Sequence, residues 1–226
     1  MSPNNVLSDH TFTLKDCALI AIATGRRAAT LTELRNHLRD VRIDSIYHHF
    51  WGGLLGVSFE ESEFNNDFAT WCRKHLSEPA LGEQLSVIDP VGHKDLEDLR
   101  MELLDIIDTR LDESEISQFL RAAQPFDFLR SLLVIFDTGN RLNKPEDLPE
   151  MLPKLTTGSI FYHFIDARRR LEDGNDDFSY WLSGFGSEYD KLRGQISSID
   201  PFFSSLSQVR ENLTAICRKH LNMEEV

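Results

Sequence analysis

The sequence predicts a mainly α-helical protein made of two copies of one unit of roughly 100 residues, related by a pseudo-twofold axis. Three observations predict it: an internal match along the whole chain, apolar stripes at helical spacing, and helix start and stop signals at the ends of those stripes. The match runs first at an offset of 114. Phe12 falls on Phe126, Thr24-Gly25 on Thr138-Gly139, Arg27 on Arg141, Leu34 on Leu148 and Ser45-Ile46 on Ser159-Ile160. His49-Phe50 falls on His163-Phe164. At an offset of 110 it resumes, with Asp67-Phe68 and Trp71 on Asp177-Phe178 and Trp181. Ile88-Asp89-Pro90 then meets Ile199-Asp200-Pro201. The expected division is residues 1–115 and 116–226, and a fused pair of like units tends to hold within one chain the surface a homodimer would share.

Each unit opens on an apolar run, Cys17 to Ala23 and Leu132 to Phe136. Helix is the expectation for both, although Leu-Leu-Val-Ile-Phe would also serve as a buried strand, and periodicity does not decide over so few residues. Thr30-x-x-Glu33 ahead of Leu34, Leu38 and Val41 is a capping-box helix start. The matching stretch has Pro145 at its start but also Pro149 and Pro153, so its helix is expected to be short or broken. Trp51 to Phe59, with Gly52, Gly53 and Gly56, is expected to be a loop and the most mobile segment. Phe64, Phe68, Trp71, Cys72 and His75 share one helical face, which predicts a helix over 63–76. Pro79 suits the first turn of another, closed by Asp89-Pro90. From Asp95 to Asp112 the residues Leu96, Leu99, Leu103, Ile106, Ile107 and Leu111 form an amphipathic stripe about five turns long. Leu206 to Leu221 repeats it.

Composition narrows the function. Hydrophobic residues are 41% and charged residues 27%, a globular balance. With 24 basic and 37 acidic groups the formal charge is −13, which repels phosphate backbones and anionic membranes. No nucleic-acid or membrane partner is therefore expected. No apolar stretch approaches bilayer length and the first residues lack signal-peptide character, which predicts a cytoplasmic protein. Cys17, Cys72 and Cys217 are widely spaced, with no C-x-x-C pair, and read as small buried groups. Leu31 to Phe50, with five nearby arginines, superficially resembles a helix-turn-helix. The missing turn glycine, the prolines of the second copy and the global charge all oppose it.

Two duplicated constellations are candidate sites. His49 with Asp67, and His163 with Asp177, combine an imidazole and a carboxylate that orient each other for proton transfer or ligand binding. The same pairs serve equally as buried hydrogen bonds that lock helices together. A metal site would need a third ligand at a fixed spacing, and none is evident, so neither metal nor cofactor is expected. Thr24-Gly25-x-Arg27 and Thr138-Gly139-x-Arg141 offer backbone amides and the Arg27 and Arg141 guanidiniums to an anion, or else a helix C-cap glycine followed by a surface arginine. There is no P-loop, dinucleotide fingerprint or nucleophile elbow.

Over Phe12 to Glu33, Ser45 to Phe50, Asn65 to Trp71 and Ile88 to Pro90, with the motifs CALIAIATGRRA and SIYHHFWGG, the chain resembles an uncharacterised prokaryotic family known only as a domain of unknown function. That resemblance implies a bacterial or archaeal protein and carries over no activity. The function expected from the residues is a non-enzymatic interaction or regulatory module that binds another protein or forms a homodimer. The alternative is a small-molecule or anion binder, enzymatic or not, using the six candidate residues at the junction of the repeats.

Overall fold

A computed structural model describes residues 10–55, 64–171, 173–200 and 204–221. It corrects the expected fold class. Two 17-residue strands, β1 (Phe12–Ala28) and β2 (Phe126–Leu142), pair as a two-stranded antiparallel ribbon, and helices take most of the rest. The protein has a strand-containing α/β fold. Both apolar runs expected to be helical lie in these strands. The β-branched and aromatic residues of Leu132 to Phe136 favour a pleated surface, and each strand finds its partner more than 90 residues away, out of reach of any local pattern.

Gly25 and Gly139 sit inside the strands at φ of 76° and 77°, a left-handed conformation that glycine alone adopts readily. Beside them the Thr24 hydroxyl donates to Phe128 O at 2.6 Å, and the Thr138 hydroxyl to Leu14 O at 2.7 Å. The Thr-Gly pairs are thus strand features rather than helix caps. Nor is an internal two-fold duplication shown, because the segments that match in sequence differ in structure, as the helices after each strand illustrate.

The chain divides into two compact units, each with residues from both strands. The first is Leu19–Val134. Its helix α1 (Leu31–Asp40) starts at the cap read from the sequence, where Thr30 Oγ1 accepts from Glu33 N at 3.1 Å. Helix α2 (Ile43–Leu55) buries every residue from Ser45 to Trp51. It also absorbs the first part of the expected loop, whose residues 56–59 lie outside the described residues. Helix α3 (Asp67–Lys74) begins later than expected, behind an Asn66 cap, and residue 63 is likewise outside. Helix α4 (Pro79–Ser86) crosses it closely at Gly82, where a Cβ would stand 3.0 Å from Ala69 O. Helix α5 (Leu96–Glu113) buries Leu99, Leu103, Ile107 and Leu111 as its stripe predicts. Buried Glu78 then ties α4 to Arg110 of α5 and to Ser117 of the short α6 (Glu115–Phe119).

The second unit is Met1–Ala18 with Ile135–Val226. Here the three prolines break the chain into a 3₁₀ turn, a four-residue helix α7 (Leu148–Met151) and another 3₁₀ turn, where the first unit has the ten-residue α1. Helix α8 (Thr157–Ile160) runs through a π-helical turn, Phe161–Asp166, into α9 (Ala167–Arg170), where the first unit has regular α2. Helices α10 (Asp177–Ser183), α11 (Asp190–Ser197) and α12 (Leu206–His220) complete it, the last behind a full Ser205/Gln208 capping box. Gly158 lies so close to the β1 backbone that a Cβ there would collide with Cys17 O, and the Cys17 thiol donates to Gly158 O at 3.2 Å. Cys72 and Cys217 are also buried and free, and burial pushes the Cys17 and Cys217 thiols up to about 12. Among the described residues no helix is long and apolar enough to cross a membrane.

Candidate functional site

Two histidines are held the same way. In the first unit α2 carries His49 inward among Phe68, Phe126 and Phe128, with ring centroids 5.2, 4.6 and 6.0 Å away. Its Nδ1 lies 2.8 Å from Asp67 Oδ2, and its Nε2 accepts the backbone N–H of Leu129 on β2 at 3.2 Å. In the second unit the π-helical turn carries His163 among Phe12 and Phe178. Its Nδ1 lies 2.7 Å from Asp177 Oδ2, and its Nε2 accepts the backbone N–H of Lys15 on β1 at 2.8 Å. Asp67 and Asp177 are the first residues of α3 and α10, where a helix N-terminus favours a negative charge.

These bonds fix the chemistry of each ring. A backbone N–H can donate only to an unprotonated nitrogen, so Nε2 carries the lone pair and Nδ1 carries the hydrogen given to the carboxylate. Both nitrogens are then occupied, and both side chains are only 2% exposed. The rings are positioned to hold a strand against helices.

The carboxylates differ. Asp177 is 15% exposed, and its Oδ2 also accepts from Arg170 Nη2 at 2.9 Å. Arg170 in turn bonds the fully buried Asp166 at 2.8 Å and covers the Tyr162 ring at 4.1 Å. Asp67 is 54% exposed and, among the described residues, pairs with His49 and with no arginine. The neighbour of His49 is His48, where the sequence match puts Tyr162. His48 is buried, its Nδ1 lies 2.8 Å from Ser131 Oγ, and burial holds its imidazole below the ordinary value.

His48, His49 and Asp67 bring three ligand-type atoms within 4.8 Å of one another. This third residue was not visible as a ligand in the sequence, although the adjacent His-His pair was a signal. The set does not fit a cation as it stands. Bound at Nδ1, a metal would force the His49 hydrogen onto Nε2, facing the Leu129 N–H donor; that leaves His48 and Asp67, one short of the usual three protein ligands.

Arg27 and Arg141 belong to neither centre. Arg27 makes a two-pronged bond to Asp127 at 2.6 and 3.2 Å, and Arg141 does the same to Asp137 at 2.6 and 2.8 Å. All four side chains are well exposed. The Arg141 hydrogen bonds, helped by Gly139 N–H, pull the Asp137 carboxyl down to about 2. An incoming anion would meet a carboxylate already holding each guanidinium. A cavity of about 280 Å³ in the second unit, lined by Glu146, Glu188, Tyr189, Leu192, His220 and Leu221, contains none of the six candidate residues.

The fold and these centres define a class of protein: helical units fastened by buried histidines to a long two-stranded ribbon. The chain belongs to the DUF5752 family, described as a family of unknown function, whose model matches residues 9–218. In fold it is similar to OrfY from Thermoproteus tenax, with a TM-score of 0.78 at 23% identity, over 93% of this chain and 95% of that one. No curated protein matches the sequence.

Proposed function

We propose that the protein is a non-enzymatic interaction or regulatory module of a prokaryotic cytoplasm, and that its working surface is the ribbon rather than the histidine centres. One observation carries the reading. Five of the large apolar side chains exposed to solvent, Ile20, Leu132, Val134, Ile135 and Phe136, fall on the two strands, in stretches with no charged residue. Exposed apolar surface gathered in one place marks an interaction site. The histidines, with every ring nitrogen of His49 and His163 spent on the fold, support no proton transfer.

The rival reading keeps a small-molecule or anion site, and its best support is the half-exposed Asp67 beside His48. Thermal-shift screening against inorganic anions, divalent metals and nucleotides separates the two. A ligand at a hundred times its dissociation constant adds about 2.7 kcal/mol of stability. The interaction reading expects no saturable shift from any of these. A shift that disappears in Asp67→Asn or His48→Gln would replace it with the binding-site reading.

A further inference from the structure

The cavity of about 280 Å³ lies wholly within the second unit and is lined by no residue of either strand. Three segments wall it. Glu146 comes from the 3₁₀ turn Pro145–Asp147, and Glu188 and Tyr189 come from a second 3₁₀ turn, Ser187–Tyr189, that leads into α11. His220 and Leu221 come from the end of α12, and Leu192 of α11, 1% exposed, adds an apolar wall. Two hydrogen bonds tie these segments together. The Tyr189 hydroxyl donates to Glu146 Oε1 at 3.1 Å, and His220 Nε2 lies 2.6 Å from Gln195 Oε1 on α11. Phe185 packs against the Tyr189 ring, with centroids 6.2 Å apart. The walls are therefore fixed by the fold, and a ligand would not have to order them. Ligand pockets run from roughly 300 to 1,000 Å³, so this cavity suits a small molecule.

The chemistry of the lining is one-sided. Glu146 and Glu188 supply its carboxylates, and among the described residues no lysine or arginine lines it or pairs with either of them. The flanking Lys191 and Lys219 are exposed and lie outside its walls. The Tyr189 hydroxyl has given its hydrogen to Glu146, so its oxygen is left as an acceptor. Gln195 Oε1 takes the hydrogen of His220 Nε2, which leaves the neutral ring a lone pair at Nδ1. Burial, the hydrogen bond to Glu146 and the negative charges of Glu146 and Glu188 raise the Tyr189 phenol pKa, so both carboxylates bear on one ring. An aromatic face attracts a cation, and Leu192 and Leu221 offer hydrocarbon rather than oxygen. A hard metal ion wants six or more oxygen ligands, which this mixture does not supply. A cation with N–H donors and an apolar body matches every part of it.

We infer that this cavity binds a small aliphatic amine, its ammonium group paired with Glu146 and Glu188 at the Tyr189 ring and its hydrocarbon against Leu192 and Leu221. A primary amine is an ammonium ion at neutral pH, as a lysine side chain is. The inference does not rest on the role of the strands, and it gives the second unit a ligand class of its own.

Isothermal titration calorimetry of the full chain at about pH 7.5 and low salt, with butylamine and with 1,4-diaminobutane, tests it. The expected result is saturable binding at one site with a dissociation constant of about 1 mM or below. Butanol, which keeps the hydrocarbon and lacks the charge, is expected to bind at least about 10-fold more weakly. Glu146→Gln and Glu188→Gln should each weaken the amine about fivefold, and Tyr189→Leu by a similar factor. Both glutamates are exposed, so these two variants should keep the circular dichroism of the parent. Four outcomes overturn the inference. They are no saturable heat from either amine up to about 20 mM, butanol binding as tightly as butylamine, magnesium binding more tightly than both amines, or an unchanged affinity in the Glu146→Gln, Glu188→Gln double variant.

Discussion

His49 and His163 sit in two different units, one on a regular α-helix and one on a π-helical turn, and make the same pair of bonds. Their surroundings diverge at the carboxylate. Asp177 is clamped by Arg170 beneath Tyr162, while Asp67 stands half in water next to His48. What stays constant across different backbones is the strand N–H, the imidazole and the helix-terminal aspartate. That constancy identifies the structural part, because in both places the ring presents its lone pair to a strand N–H. The difference lies in how strongly each carboxylate is held.

The largest effect is expected from breaking the shared part. His49→Ala and His163→Ala each leave a part-buried backbone N–H without its acceptor and open a hole among aromatic rings. Each should cost about 3–4 kcal/mol in urea unfolding, the two agreeing within about 1 kcal/mol. If either histidine is replaced at little cost, the strand bonds are not what holds that unit.

Next in size is the clamp. Arg170→Ala removes one of the arginines on fully buried Asp166 together with the second partner of Asp177, and should cost about 2 kcal/mol. Asp67→Asn, on the exposed side, should cost about 1 kcal/mol or less. Equal costs would erase the distinction between the centres.

The smallest effect is the contribution of His48 to the pH dependence of stability. Burial lowers the His48 pKa from its ordinary 6.5, so the unfolded chain takes up a proton more readily than the folded one. Stability is lost as pH falls through about 6.5 toward the lower folded value. His48→Gln should flatten that acid limb of the unfolding profile and leave stability above neutrality nearly unchanged.

The sequence revealed these centres unevenly, for physical reasons. The stripe on α5, the Thr30 cap and the damage done by Pro145, Pro149 and Pro153 are local, set by neighbours within a turn or two, and were legible. So was the pairing of each histidine with its aspartate, since both copies of the motif carried it. The third partner was not legible, because a backbone N–H has no sequence signature. The strands were missed for a related reason. Cys17 to Ala23 is apolar enough for helix or strand, and its pairing with β2 is a contact across about a hundred residues that no local periodicity reports. Without the strands, Gly25 and Gly139 fit a helix end as well as an anion-binding turn, and the sequence gives no sign that Arg27 and Arg141 pair with Asp127 and Asp137.

Amide hydrogen exchange in dilute protein tests most directly whether the histidines fasten the strands. The account predicts slow exchange at Lys15 and Leu129, whose N–H groups donate to His163 and His49, and loss of the slow signals in His163→Gln and His49→Gln respectively. Fast exchange at Lys15 and Leu129, or slow exchange there that survives loss of the imidazoles, would contradict it.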